Sequence, residues 1–471
     1  MTEHPSTGTL GELRASGYRP RSVKEEMRAN LVDRIRASAP FLPGILGYDE
    51  TVLPQLENAV LAGQDVILLG ERGQAKSRIA RSLVSLLDEW VPEVAGAELH
   101  DDPLRPVSAH ARTLVAELGD ATPVAWLHRD QRYGEKLATP DITIADLVGE
   151  VDPVKVAEGR YLSDELTIHY GLVPRTNRGI FALNELPDLA ERIQVGLLNL
   201  MEERDVQIRG YKVRLELDLF VIASANPEDY TSRGRIITPL KDRFGAQIRT
   251  HYPEDAEIEI AIVDAEQTAF EDETAASVPV QVPGFMREIV AELSQLARRS
   301  SEVSQRSGVS VRVTIANHET LLAAALKRAV RLDEPVAAPR ISDLPAVVAS
   351  TAGKIELETL GDETREEKVI EKLVQRAVVN VFNHHFSLSE LVPLIERFEA
   401  GADAEVGEGV GAAAHERLVA EIPELRRAVG RLDVGESPAG VASGVEFVLE
   451  GLHLNRRLNK ERRGAGVRYA R

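Results

Sequence analysis

The chain has 471 residues, 43% hydrophobic, 4% aromatic and 28% charged, with a formal net charge of −19. These are globular proportions, sufficient for roughly two to four domains, and the acidic balance excludes a protein whose whole surface coats nucleic acid or an anionic membrane. The absence of cysteine excludes disulfides, thiolate zinc sites and cysteine nucleophiles.

Residues 1–40 read as an N-terminal extension, broken by Pro5, Gly8, Gly11, Gly17 and Pro20, with an amphipathic helix over Val23 to Ala37. No continuous apolar stretch of signal-peptide type occurs there, and no later run is long enough to span a membrane, so a cytoplasmic protein without a membrane span is expected. Ala, Val and Leu dominate the apolar set, which suits helices and a parallel sheet.

The main domain, 41–255, opens near Phe41-Leu-Pro-Gly-Ile-Leu-Gly-Tyr48, followed by a helix over Thr51 to Ala62 and a buried strand over Val66 to Leu69. Next come Gly70, Glu71, Arg72, Gly73, Gln74, Ala75, Lys76, Ser77 and Arg78. A strand, a Gly-rich turn and Lys-Ser at a helix start form the local geometry of a phosphate-binding loop. Backbone N–H groups face an anion there, Lys76 can reach the β- and γ-phosphates, and the Ser77 hydroxyl suits Mg²⁺. Ala75 stands where G-x-x-x-x-G-K-[ST] has its last Gly. Alanine is tolerated if it keeps a negative φ, although its methyl group then crowds the phosphate path.

Trp90 to Ala121 is acidic and loop-rich, and Pro123 to Leu127 is a weaker strand candidate. Thr139 to Arg178, broken by Gly149, Pro153, Gly159, Gly171 and Pro174, reads as an insertion. Buried strands are expected over Gly179 to Leu183, ending in Asn184-Glu185, and over Phe220 to Ala225, ending in Asn226-Pro227. Between them lie a helix, Arg192 to Glu203, and a period-two hairpin, Val206 to Leu217, turning about Arg209-Gly210-Tyr211. Gly245 to His251 closes the sheet. Helices follow over Ala256–Ala269, Val282–Arg299, Asn317–Val330, Ile341–Thr351 and Thr364–His384. Alternating strands and helices followed by helices alone predict a doubly wound α/β domain and then an α-helical region. Ala400 to Gly411 reads as a linker. The last residues, with Arg456, Arg457, Lys460, Arg462, Arg463, Arg468 and Arg471 against Glu461, read either as a basic tail that meets an acidic patch on a partner or as a solvated end.

Ligands of open α/β sheets bind at the carboxyl ends of the strands. Glu185 there is a candidate general base for an attacking water. Asn184 occupies the place of a metal-orienting Asp, keeping an oxygen but losing a charge. Asn226 can hydrogen-bond a γ-phosphate, Arg243 can reach a neighbour's nucleotide, and Arg312 can act from the helical region.

These motifs, with Ala138 to Ala157, Gly171 to Glu185, Ser224-Ala-Asn-Pro227 and Pro239-Leu-Lys-Asp-Arg-Phe-Gly245, resemble those of AAA+ ATPases of the magnesium-chelatase ATPase-subunit and MoxR-like branch. The resemblance covers about Gly44 to Glu358. It implies an α/β AAA+ P-loop core with a helix-2 insertion (Thr139 to Leu172) and a pre-sensor-1 hairpin (Asp205 to Leu217). An α-helical lid over 256–358 and a helical C-terminal extension with a basic tail over 359–471 complete the implied organisation. It assigns Gly70 to Arg78 to ATP, Ser77 and Asn184 to Mg²⁺, Asn184-Glu185 to Walker B, Asn226 to sensor 1, Arg243 to the arginine finger and Arg312 to sensor 2. It further implies a hexameric homo-oligomeric ring that hydrolyses ATP to remodel a partner with a von Willebrand factor A domain, and no direct nucleic-acid contact. Two other functions stay open: the ATPase subunit of a magnesium or cobalt chelatase, and a nucleotide-gated scaffold with little hydrolysis. A sigma-54-type activator is disfavoured because no GAFTGA loop occurs.

Overall fold

The all-apolar runs of the first half become neighbouring strands of one sheet, as their lack of alternation requires: a strand covered on both faces has no polar side to show. The computed structural model describes residues 6–151, 167–203, 206–208, 211–213, 215–226, 235–267, 278–304, 308–357, 363–464 and 466–471. It divides into two units, Met1–His251 and Tyr252–Arg471.

In the first unit five strands, β1 (Val66–Leu69), β2 (Tyr133–Leu137), β3 (Gly179–Asn184), β4 (Leu219–Ala225) and β5 (Ala246–Arg249), form a sheet in the order β5-β1-β4-β3-β2. Every pair is parallel, with Leu69 beside Ala225, Ala223 beside Leu183 and Leu137 beside Asn184. The fold is therefore an open α/β sheet. Side chains alternate across it and build two cores. Ile67, Leu69, Phe181, Leu183, Val221 and Ala223 face one, where Ile193, Leu197 and Leu200 of the helix Glu191–Glu203 cover them. Val66, Leu68, Ile180, Ala182, Phe220 and Ile222 face the other, beneath Val23, Met27 and Leu31 of the helix Val23–Arg36. That N-terminal helix begins at a capping box of Ser22 and Glu25 and carries Glu26, whose carboxylate takes both Arg132 guanidinium nitrogens at 2.7 Å in the interior.

The edge strand β2 is absent from the sequence expectations. It pairs on one side only and carries Glu135 and Lys136, so neither an apolar run nor a clean alternation marks it. The expected strand Pro123–Leu127 does form, as Val124–His128, but outside this sheet: it pairs antiparallel with Trp90–Val94. Within the insertion, Gly149–Val151 pairs antiparallel with Ile168–Tyr170, and residues 152–166 lie outside the described residues. The hairpin pairs Val206–Ile208 with Tyr211–Val213, and Arg209-Gly210 at its turn lies outside the described residues, as does Pro227.

The second unit is mainly helical, and one apolar core runs through it from Phe285 to Tyr469. The helix Val311–Arg331 starts ahead of the expected Asn317, because Ser310 caps it and Val311 and Val313 are buried. Two expectations are corrected at the chain's end. The segment read as a linker contains the strand β6 (Ala404–Val406), and the basic end forms β7 (Asn459–Arg463) and β8 (Gly466–Ala470), in the antiparallel order β6-β8-β7. Burial of Val406 and Tyr469 anchors this sheet. Several basic side chains find acidic partners in the same unit: Lys460 with Glu450 at 2.8 Å, Arg468 with Asp403 at 2.6 Å, and Arg471 with Glu399. Among the described residues no helix is long and apolar enough to cross a membrane.

Candidate functional site

The first residue past β1 fixes the loop. The Gly70 N–H donates to the Ala225 carbonyl at 3.0 Å, so the loop starts bound to the end of β4. A β-carbon on Gly70 would lie 1.9 Å from Thr250 Oγ1 and 2.2 Å from Gln74 Oε1, which restricts the position to glycine. Gln74 braces the turn: its Oε1 accepts from the Glu71 N–H at 3.0 Å and from Thr250 Oγ1 at 2.7 Å. Buried Tyr48 donates to the Gln74 carbonyl at 3.0 Å. Gly73 has φ +74°, the left-handed region.

Ala75 also lies in that region, at φ +55° and ψ +13°, immediately before the helix Lys76–Ser82. The negative φ that would make alanine comfortable is not adopted. The loop keeps the backbone path that a glycine would favour, at a local cost of order 1–2 kcal/mol. Lys76 is buried, and its Nζ donates to the carbonyls of Gly70 at 2.5 Å and Glu71 at 2.7 Å. An ammonium turned into the concavity of its own loop is positioned to exchange carbonyl for phosphate oxygens. Arg72 and Arg78 are exposed.

Across the sheet edge, Ser77 Oγ donates to Asn184 Oδ1 at 3.3 Å. The structure thus joins the loop to the end of β3. Ser224 near the end of β4 completes the link: its hydroxyl donates to Asn184 Oδ1 at 3.1 Å and accepts from the Glu185 N–H at 3.3 Å. Glu185 is held at φ +55°, ψ +48°, a left-handed conformation that a non-glycine residue adopts at a cost of about 1–3 kcal/mol. Asn226 directly follows β4 and is buried. Because β4 lies between β1 and β3, Asn226 emerges between the loop and Glu185. Arg243 ends the helix Thr238–Arg243 ahead of β5 and is exposed. Arg312 belongs to the second unit, exposed in the first turn of Val311–Arg331, with its N–H on Ser310 Oγ at 3.2 Å.

Three side chains outside the expected site residues enter this site. Ser224, within the motif Ser224-Ala-Asn-Pro227, is one. The others are Glu135, whose Oε1 accepts from Asn184 Nδ2 at 2.5 Å, and Arg81, which grips both Glu135 oxygens at 2.8 and 3.1 Å. The hydrogen bonds to Glu135, with its charge, hold the Arg81 guanidinium above its ordinary pKa. Period-two alternation places Glu135 on the face of Asn184, since Leu137 pairs with Asn184, but nothing local in the sequence shows that β2 is there.

A lysine and a hydroxyl following the first strand of a parallel sheet, with a polar pair ending a strand two places away, define a P-loop nucleotide-binding module. The comparisons with known proteins narrow the class. Over 241 residues the chain is 28% identical to the magnesium-chelatase subunit ChlI-1, chloroplastic, of Arabidopsis thaliana, covering 49% of this chain and 53% of that protein. It is 27% identical over 250 residues to the magnesium-chelatase 38 kDa subunit of Rhodobacter capsulatus, covering 51% of this chain and 65% of that one. The chain spans about half the length of the first of these and under two thirds of the second. A solved chain from the complex between subunits BchI and BchD of magnesium chelatase aligns at 20% identity and a TM-score of 0.35, over 68% of this chain and 97% of that one. No family model matches. The chain is thus similar in sequence to magnesium-chelatase subunits, and its fold is that of AAA+ ATPases.

Proposed function

We propose that the chain binds Mg·ATP on Gly70 to Arg78, hydrolyses it in a homo-oligomeric ring, and uses the cycle to remodel a partner protein with a von Willebrand factor A domain. The observation that carries the reading is the run of hydrogen bonds from Ser77 through Asn184 and Ser224 to the Glu185 N–H, beside a loop whose Lys76 turns inward onto the Gly70 and Glu71 carbonyls. The residues fit the group. The Ser77 hydroxyl and the Asn184 amide oxygen meet at 3.3 Å beside the loop, an oxygen pair that suits an ion sharing its ligands with phosphates. Bound Mg²⁺ neutralises charge on the phosphates. Lys76 binds their oxygens, Ser77 and Asn184 orient the ion's shell, Glu185 accepts the proton of the attacking water, and Asn226 aligns that water. Arg243 and Arg312 supply cations, the former to a neighbouring copy.

Steady-state ATPase and nucleotide-binding assays test this. Lys76→Ala should lose nucleotide affinity, and Glu185→Gln should bind nucleotide but turn over at least about a hundredfold more slowly. Equal turnover in wild type and Glu185→Gln would leave only a nucleotide-gated scaffold, a reading that Asn184 and the left-handed Ala75 favour. A second reading, the ATPase subunit of a magnesium or cobalt chelatase, is favoured by the names of the curated relatives. Stimulation of ATP turnover by a tetrapyrrole and its chelatase subunits, rather than by a von Willebrand factor A protein, would select it.

A further inference from the structure

The loss of a carboxylate at position 184 has a counterpart one strand away. Asn184 Oδ1 accepts from Ser77 and Ser224, so its Nδ2 turns the other way and donates to Glu135 Oε1 at 2.5 Å. The amide therefore has a fixed orientation, with its oxygen toward the loop and its nitrogen on a carboxylate. Parallel pairing of Leu137 with Asn184 puts Glu135 on the same sheet face. The Glu135 side chain is 20% exposed, whereas its cation Arg81 is 64% exposed. Solvent screens the guanidinium side of this pair. The carboxylate, by contrast, presents its charge from a mostly buried position.

We propose that Glu135 supplies the negative charge that Asn184 lacks in the shell around Mg²⁺, acting through the Asn184 amide. It is a positioning residue, with Arg81 as its outer restraint, and the proposal rests on the Mg·ATP reading. Outer partners of this kind typically change metal affinity 10- to 100-fold when removed.

The test titrates N-methylanthraniloyl-ATP, with and without Mg²⁺, onto the full chain and its variants. Glu135→Gln keeps the side-chain shape and an acceptor for Asn184 but removes the charge. It should reduce apparent Mg²⁺ affinity by roughly tenfold while leaving metal-free nucleotide affinity and the melting temperature of the nucleotide-free protein unchanged. Glu135→Gln with Asn184→Asp should restore the metal dependence, because the charge returns on the neighbouring strand. Asn184→Asp alone should not raise Mg²⁺ affinity, since two carboxylates would then meet at hydrogen-bonding distance. A Glu135→Gln protein with wild-type Mg²⁺ dependence, or a double variant that recovers nothing, overturns the proposal. A wild-type chain with no more metal-free nucleotide affinity than Lys76→Ala would instead remove the nucleotide reading itself, and this inference with it.

Discussion

Two residues of the site hold backbone conformations that their side chains disfavour, and the two cases predict different outcomes. At Ala75, φ +55° forces the β-carbon toward the carbonyl that follows, and no hydrogen bond of the alanine side chain offsets the cost. Ala75→Gly should therefore stabilise the first unit by about 1 kcal/mol, a rise of roughly 2 °C in its melting transition. Calorimetry of the nucleotide-free protein checks this, and a fall in melting temperature would mean that the methyl group packs usefully. Glu185 shares the left-handed conformation, but its N–H is spent on Ser224 and its carboxylate is the proposed base. Glu185→Gly should relieve the same strain yet abolish turnover. Strain at the first position is incidental to chemistry; at the second it aims the functional group.

At the scale of elements, the helix Val23–Arg36 belongs to the sheet's own core, and its attachment is electrostatic as well as apolar. Glu26 and Arg132 are buried at 4% and 1% side-chain exposure, with two 2.7 Å bonds between them. Glu26 also accepts from the Asp88 N–H, and Arg132 Nε donates to the Arg178 carbonyl at 2.7 Å. Glu26→Ala strands a buried guanidinium and should cost about 3–5 kcal/mol in denaturant unfolding, whereas Glu26→Leu with Arg132→Met should cost far less. In the second unit, burial first and then the nearby Arg287 hold His318 below its ordinary value of 6.5. The unfolded chain binds the proton that the folded helix refuses, so this site lowers stability as pH falls from about 6.5 toward the folded pKa and has no effect well above about 6.5. His318→Leu should flatten that acid-side decline in a pH series of melting curves. Elements of this kind also show what the sequence discloses. Val66–Leu69, Gly179–Asn184 and Leu219–Ala225 are legible because two-sided burial leaves them apolar except for Asn184 and Ser224 near their carboxyl ends, and the loop and Asn184-Glu185 are legible from their places at the ends of those strands. Glu135 is not, because an edge strand with two charged residues resembles a loop. The strands at the chain's end are hidden for a related reason: Lys460 and Arg468 look solvated until their acidic partners, which are distant in sequence, are known.

For the whole molecule, the decisive matter is whether one copy completes another. A head-to-tail contact between identical chains closes into a ring when its rotation closes, and every nucleotide then lies beside an element from the next protomer. Arg243 fits that use: it ends a short helix ahead of the edge strand β5 and is exposed. On this reading Arg243→Ala binds nucleotide normally but turns over slower by about a thousandfold, the loss expected of an arginine finger. Lys76→Ala fails for the opposite reason, since it keeps Arg243 but holds no nucleotide. Mixing the two inactive proteins should then restore activity. A random ring places an Arg243→Ala nucleotide site beside a Lys76→Ala arginine at roughly a quarter of its interfaces, so about a quarter of the wild-type rate per site is the expected ceiling. Two variants that stay inactive together, while each still assembles by sedimentation, would show that Arg243 serves its own chain or none.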